Sequence, residues 1–215
     1  MRIQQKLGRR GIVVALAGAL AVPAMLAVAP AAYAAVNCVV STGVTQTGTT
    51  VTGTSANDTI DCGGANPGKT INGNGGDDTI TGTVFVDKIN GNDGNDTMTG
   101  GIGNDILTGG NGNDTMTGSA GNDTLNGGVG DDTETGSEGD DKLNGDANND
   151  TLNGGVGKDT LNGGLGTDII NGDADNDSLT GPPNDSSIDT VNGGAGTDTC
   201  AGPLPDPDVL IDCNP

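Results

Sequence analysis

A nine-residue repeat runs through most of this chain and limits its possible folds more than any other feature. Its pattern is G-x-x-G-x-D-x-U-x, where U is aliphatic, and twelve blocks follow one another without a gap over Gly73–Thr180. A stretched block, Gly181–Asn192, and a last block, Gly193–Ala201, come next, and two looser copies come earlier, at Gly53–Asp61 and Cys62–Asn72. A fixed period of this kind predicts a solenoid of stacked repeats.

Each block divides into a turn and a short strand. Glycine at positions one and four permits positive φ angles and close backbone approach, so the first six residues predict a turn. The last three predict a strand whose middle side chain points to one face and whose outer two point to the other. The predicted core is therefore position eight: Ile80, Ile89, Met98, Leu107, Met116, Leu125, Leu143, Leu152, Leu161, Ile170 and Leu179.

An aspartate at position six recurs in the same register along the repeats. One core residue in nine buries too little apolar surface to offset the entropy lost on folding, so another interaction must hold the coils together. Stacked coils bring these carboxylates to about 4.8 Å from one another, where they repel unless a cation lies between them. Hard oxygen ligands favour calcium over zinc or copper. The alternative is that they are solvated turn aspartates.

The repeat resembles the calcium-binding nonapeptide of the RTX (hemolysin-type) family. The blocks Gly100–Thr108 and Gly109–Thr117 match G-G-x-G-x-D-x-U-x at every position. The resemblance implies an all-β fold, a parallel β-roll that is a right-handed β-solenoid of nonapeptide repeats with two per coil, and several Ca²⁺ ions in the turns between coils.

The expected calcium ligands are carboxylates at position six and main-chain carbonyls at position one. The carboxylates are those of Asp78, Asp96, Asp105, Asp114, Asp123, Asp132, Asp141, Asp150, Asp159, Asp168, Asp177 and Asp198. The carbonyls are those of Gly73, Gly91, Gly100, Gly109, Gly118, Gly127, Gly136, Gly145, Gly154 and Gly163.

A few blocks depart from the pattern. The block Gly82–Asn90 lacks the second glycine and carries Phe85 in its turn, so a calcium site there is expected to be weak or absent. Glu134 occupies a core position, which predicts a locally open coil, with a tuned inward carboxylate as the alternative. Position four is Asn148 in one block and Asp175 in another, and these turns are expected to survive because both residue types tolerate left-handed backbone.

The first 34 residues predict a cleavable secretory signal. Four basic residues precede an apolar stretch, Ile12–Ala29, and Ala32-Tyr33-Ala34 forms a small-x-small cleavage motif, so the mature chain is expected to begin at Ala35. The alternative is a membrane anchor, which Gly18 and Pro23 disfavour. We therefore expect a secreted, extracellular protein of bacterial type.

The four cysteines flank the repeats and avoid their middle. Disulfides persist outside the cell, and three pairings are possible. We favour Cys38–Cys62 and Cys200–Cys213 because local bridges would staple the ends of the solenoid, where strand edges are exposed. A metal site made by the thiols is the alternative. The expected organisation is a signal peptide at 1–34, an N-terminal cap with degenerate repeats at 35–72, the β-roll at 73–201 and a C-terminal cap at 202–215.

Charge and residue usage exclude several functions. Beyond the signal segment, four lysines face 29 acidic residues, which excludes nucleic acid and anionic membranes as direct partners. The chain has no histidine, so it contains neither an H-E-x-x-H motif nor a Ser-His-Asp triad, and we expect no enzymatic activity. Without counter-ions a chain of this composition is expected to be disordered.

Three functional hypotheses follow. The leading one is a stand-alone secreted calcium-binding β-roll that folds as several ions bind. The second is an ice-binding or surface-adhesion solenoid, although threonine also suits solvent-facing strands through its propensity alone. It uses a threonine ladder on one strand face, formed by Thr79 and Thr81, Thr97 and Thr99, Thr115 and Thr117, and Thr133 and Thr135. The third is binding of an unidentified extracellular or cell-surface partner through the Phe85 region or the proline-rich tail 202–215.

Overall fold

The computed structural model describes residues 37–181, 187–201 and 209–213, which all belong to a unit that runs from Ala34 to Pro215. Regular secondary structure in these ranges is all β, and none of them contains a helix long and apolar enough to cross a membrane. The predicted signal segment and most of the C-terminal tail lie outside the described residues.

The described ranges contain twenty strands. They are β1 (Val39–Val40), β2 (Thr45–Thr47), β3 (Thr50–Thr52), β4 (Thr59–Asp61), β5 (Thr70–Gly75), β6 (Thr79–Thr81), β7 (Lys88–Asp93), β8 (Thr97–Ile102), β9 (Ile106–Asn111), β10 (Thr115–Ala120), β11 (Thr124–Val129), β12 (Thr133–Glu138), β13 (Lys142–Ala147), β14 (Thr151–Val156), β15 (Thr160–Leu165), β16 (Ile169–Ala174), β17 (Ser178–Thr180), β18 (Thr190–Asn192), β19 (Thr199–Ala201) and β20 (Val209–Ile211).

The strands alternate between two ten-stranded sheets. Sheet 1 has the order β1-β4-β6-β8-β10-β12-β14-β16-β18-β20, and sheet 2 has the order β19-β17-β15-β13-β11-β9-β7-β5-β3-β2. Neighbouring strands within the repeats are parallel and pair residues eighteen positions apart, such as Thr97 with Thr115. Two nonapeptides therefore make one coil, which confirms the predicted parallel β-solenoid. At the N-terminal end, β1 and β2 pair antiparallel with β4 and β3.

The central strands are twice as long as predicted. Strand β8, for example, joins the last three residues of one block to the first three of the next, and its parallel pairing with β10 continues to Ile102. The prediction that all six leading residues form a turn is therefore wrong for the first three. Positive φ occurs at positions two and four, as at Gly101 (116°) and Gly103 (144°), and not at position one. The chain bends at position two without leaving the sheet.

Position-eight side chains point between the two sheets and form the core. All eleven residues predicted to lie there are at most 2% exposed, which confirms the prediction. Ile60 and Ile71 extend this column into the degenerate copies, Val51 extends it into β3 before them, and Val191 extends it into the stretched block. Burying one such side chain stabilises the fold by about 1.5–3 kcal/mol. The core is long, but each strand contributes only one residue to it.

Glu134 lies in this core, stacked in sheet 1 between Met116 and Leu152. It is 0% exposed, and neither carboxylate oxygen has a partner at normal hydrogen-bond geometry, although an interaction with the main chain of Asn144 lowers its pKa against the effect of burial. The predicted open coil is wrong, because β12 keeps its full pairing with both neighbours. Burial raises the pKa of Glu134 to about 8, so the carboxyl group remains mostly protonated at neutral pH.

Both favoured disulfides form near the ends of the solenoid. Cys38 pairs with Cys62, and Cys200 pairs with Cys213. The first pair is buried in the core, whereas the second is only partly buried. All four cysteines are used in this way, so the alternative of a thiolate metal site is wrong.

Candidate metal-binding turns

The position-six aspartates lie in two rows of turns, one at each side where the chain passes between the sheets. One row contains Asp78, Asp96, Asp114, Asp132, Asp150 and Asp168, and the other contains Asp105, Asp123, Asp141, Asp159, Asp177 and Asp198. All twelve are at most 3% exposed. Asp189 continues the first row through the stretched block. The sequence pattern did not identify Asp189, because the three extra residues of this block displace it from position six.

Within a row, each aspartate accepts a hydrogen bond from the coil before it. The main-chain N–H of Asp96 donates to Asp114 Oδ1 at 2.7 Å, and the N–H of Asp114 donates to Asp132 Oδ1 at 2.7 Å. The second row repeats this bond, with Asp105 N–H donating to Asp123 Oδ1 at 2.7 Å. The protein itself therefore uses one oxygen of each of these carboxylates.

The other oxygen, Oδ2, is buried in most turns without a hydrogen-bond donor. This holds for Asp78, Asp96, Asp105, Asp114, Asp123, Asp132, Asp141, Asp150, Asp159, Asp177 and Asp198. A buried polar atom without a partner costs about 1–3 kcal/mol, and more if it is charged. Because the same oxygen is left over in coil after coil, the two rows are candidate sites for a cation.

The position-one glycines lie directly against these oxygens. A Cβ atom built on Gly100 would lie 2.5 Å from Asp105 Oδ2 and 2.9 Å from the carbonyl oxygen of Gly118, one coil further on. Each of the ten glycines predicted as ligands lies in the same way against the aspartate of its own block, and so do Gly172 and Gly193. Glycine is thus required at position one for space rather than for positive φ. A carboxylate oxygen and a glycine carbonyl oxygen converge in the space that it leaves.

Burial raises the pKa of the repeating aspartates. The raised pKa is about 7 for Asp114, Asp123, Asp150 and Asp159, and about 6 for Asp78, Asp105, Asp132 and Asp177. Burial is the largest cause, the hydrogen bond from the previous coil opposes it, and neighbouring carboxylates add to it. Each row is therefore poorly suited to holding its negative charge alone.

The oxygens of these turns fit calcium. In the part of the chain that the structure describes, no three Asp, Glu or Cys side chains converge on one point. A cation would therefore combine position-six carboxylates with main-chain carbonyls such as those of the position-one glycines. Such an oxygen set suits the six to eight ligands and the flexible coordination geometry of calcium, whereas zinc and copper favour imidazole and thiolate ligands.

Position five carries a second ladder, to which the sequence pattern assigned no role. The main-chain N–H of Asn95 donates to Asp77 Oδ1 at 2.9 Å, and the N–H of Asn113 donates to Asn95 Oδ1 at 2.8 Å. These exposed bonds run in the opposite direction to those of position six, because the earlier coil now supplies the acceptor. The recurrence of Asn or Asp directly before the position-six aspartate is the sequence feature from which this ladder could have been predicted.

Comparison with known families agrees with this geometry. The family model described as RTX calcium-binding nonapeptide repeat (four copies) matches residues 72–107, 99–134, 135–170, 162–181 and 185–202. These matches cover more than half of the chain and contain the turns with unpartnered Oδ2 atoms described above. No curated protein matches the chain at a significant level.

Proposed function

Because this chain belongs to the family of RTX calcium-binding nonapeptide repeat proteins, we propose that it is a secreted calcium-binding β-roll, which folds as several Ca²⁺ ions bind between its coils. The observation that carries the proposal is the row of buried Oδ2 atoms without a donor. The ions are held by the position-six carboxylates and the position-one carbonyls. The proposed role of the protein is structural and non-enzymatic.

Calcium binding and folding are linked through these turns. Without the ion, the folded chain buries one unpaired carboxylate oxygen in most turns, which offsets most of the stabilisation from the one core residue of that block. The entropy lost on ordering the other residues of the block then remains uncompensated. With the ion, the same oxygens gain a positive partner, and the two coils that share it are held together. A site assembled from two coils does not exist in the unfolded chain, so the binding free energy becomes folding free energy.

The proposed location follows from the affinity expected of such sites. By analogy with extracellular calcium modules, each site has a dissociation constant of about 10⁻⁴–10⁻³ M, so the ordered state requires the calcium concentrations found outside cells. The sequence of the first 34 residues supports export. Mass spectrometry of the protein from culture medium, with a mature N-terminus at Ala35, tests this part of the proposal.

A calcium titration followed by far-UV circular dichroism tests the proposed function. We expect a disordered spectrum in chelator and a cooperative change to β structure between micromolar and millimolar calcium. The matched pair Asp132→Asn and Asp131→Asn tests the ligands. Asp132→Asn is expected to lose one bound calcium, whereas Asp131→Asn keeps the count because asparagine already serves as the acceptor at position five. Identical spectra with and without calcium would contradict the proposal.

A second candidate function is binding of ice or another regular surface by sheet 1. The register of this sheet aligns Thr79, Thr97, Thr115 and Thr133 in one column and Thr81, Thr99, Thr117 and Thr135 in another. Thermal hysteresis of the calcium-loaded protein, lost in Thr97→Leu with Thr115→Leu, would support it. The control is Thr124→Leu with Thr160→Leu on sheet 2, and a wild type without hysteresis would exclude ice binding.

A further inference from the structure

Two turns near the N-terminus satisfy their own aspartate. In the block Gly53–Asp61, the main-chain N–H of Thr54 donates to Asp58 Oδ2 at 2.6 Å, and the Thr54 hydroxyl adds a bond of 3.0 Å to the same oxygen. In the block Gly82–Asn90, the N–H of Thr83 donates to Asp87 Oδ2 at 2.5 Å. We call these turns closed, and turns whose Oδ2 has no donor open.

The residue at position two separates closed turns from open ones. In the open turns this residue has positive φ, for example Asn74 (81°), Gly101 (116°) and Ser119 (89°). Thr54 and Thr83 do not have positive φ, which β-branched residues rarely adopt. Their N–H groups are therefore free to turn towards the carboxylate, where the open turns present none.

The two closed turns share a further bond that keeps this conformation. The main-chain N–H of Phe85 donates to the Thr83 hydroxyl oxygen at 2.9 Å, and that of Ala56 donates to the Thr54 hydroxyl oxygen at 3.1 Å. Threonine thus bridges its own turn through its side chain while its N–H binds the aspartate. The same arrangement in two turns of different sequence indicates that threonine at position two produces it.

The charge balance of the first coils agrees with the closed geometry. Burial pushes the pKa of Asp58 upward, but hydrogen bonds from Thr54 and Ser41 outweigh it, and the pKa is lowered. In the other row, the first position-six residue is Lys69, which is 3% exposed and donates its main-chain N–H to Asp87 Oδ1. A cationic residue therefore stands where later coils carry a carboxylate.

On the basis of the proposed function, we propose that Thr54 and Thr83 take the place of calcium in their turns, so that residues 38–90 form a calcium-independent cap. Its last strands, β6 and β7, offer ordered edges that pair with the next strands, β8 and β9. Within the described part of this segment, only the turn 73–78 is open. The buried disulfide Cys38–Cys62 and the antiparallel strands β1 and β2 complete the cap.

Hydrogen exchange of the full chain with mass spectrometry tests this inference. In chelator, peptides from residues 45–90 are expected to exchange at least about tenfold more slowly than peptides from 100–180, and calcium is expected to protect both. Fast exchange along the whole chain in chelator, with full protection in calcium, would overturn the cap and leave the proposed function intact. Full protection everywhere in chelator would instead contradict calcium-driven folding itself.

A pair of identical substitutions in one row separates the closed turn from the open one. Asp87→Asn is expected to leave the number of bound calcium ions unchanged and to accelerate exchange of residues 70–93 in chelator, because it weakens the bonds from Thr83 and Lys69. Asp105→Asn is expected to lose one calcium ion and to leave that exchange unchanged. Loss of a calcium ion in Asp87→Asn, measured by isothermal titration calorimetry, would overturn the role assigned to Thr83.

Discussion

Glu134→Leu is predicted to stabilise the calcium-loaded protein, and to do so more strongly as the pH rises. The carboxyl group of Glu134 is fully buried between Met116 and Leu152 without a proper hydrogen bond. Removing an unsatisfied buried group is worth about 1–3 kcal/mol, and a leucine side chain in the same column adds about 1.5 kcal/mol or more of apolar burial. These two gains do not depend on pH.

The pH-dependent gain comes from ionisation. The pKa of Glu134 is raised from 4.5 to about 8, mainly by burial. A raised pKa stabilises the folded state at low pH, and this contribution is lost as the pH rises from about 4.5 to about 8. At 1.36 kcal/mol per pH unit, the loss reaches at most about 3 kcal/mol at pH 7, because the charges of Asp132 and Asp150, which also raise this pKa, are neutralised in part when calcium is bound. Glu134→Leu should therefore stabilise the coil by about 3 kcal/mol at pH 5 and by at most about 6 kcal/mol at pH 7.

The assay is hydrogen exchange, which gives protection factors for residues 115–152 in excess calcium at both pH values. A local measurement is needed because repeat arrays need not unfold as one unit. Glu134→Gln is the matched control, since it removes ionisation but keeps a buried polar group. It should match the wild type at pH 5 and exceed its protection by at most about two orders of magnitude at pH 7. Equal protection of Glu134→Gln and the wild type at pH 7 would refute the reasoning.

Three further predictions concern the turns and the ends. Gly127→Ala should lose one calcium ion, because its Cβ would collide with Asp132 Oδ2 and with the carbonyl oxygen of Gly145 in the next coil. The control is Gly75→Ala, whose Cβ meets nothing closer than 3.7 Å and which should bind as many calcium ions as the wild type in calorimetry. In chelator, far-UV circular dichroism should show a gain of β structure as the pH is lowered from about 7 to about 4. The raised aspartate pKa values favour the folded state once these groups are protonated. A loss of β structure over this pH range would contradict the prediction. Replacing Cys200 and Cys213 by serine should accelerate exchange only in residues 187–211, since each coil contacts only its neighbours, and faster exchange in the central coils would contradict this locality.

The sequence predicted the architecture well because its period is so regular. One aliphatic residue every nine positions determines which side chains enter the core, and a constant register leaves the sheets no other pairing. The sequence placed Glu134 correctly at a core position, but it did not predict that the coil stays closed, because the paired strands on both sides hold this coil in register despite the cost of burial. The extra strand length was missed because positive φ at position two bends the chain without ending its pairing.

The closed turns show where pattern reasoning needs backbone chemistry. Position two is not part of the G-x-x-G-x-D-x-U-x pattern, yet its φ angle decides whether the aspartate has a donor. Thr83 carries that information in the sequence, because a β-branched residue avoids positive φ. Phe85 shows in the sequence that the block Gly82–Asn90 departs from the repeat pattern. Phe85 accounts only for the missing glycine at position four, and not for the hydrogen bond that Asp87 Oδ2 accepts from Thr83.

Pairing at an interval of eighteen residues sets the unit in which this protein can change its length during evolution. Deleting or duplicating two blocks removes or adds a whole coil and leaves every other strand in its own sheet. Deleting a single block would move every later strand into the opposite sheet. The threonine column of sheet 1 would then meet the Asn-rich strands of sheet 2, and aspartates of one row would meet those of the other. Gene variants are therefore expected to differ by pairs of blocks, each pair carrying its own core residues and its own share of the ion sites.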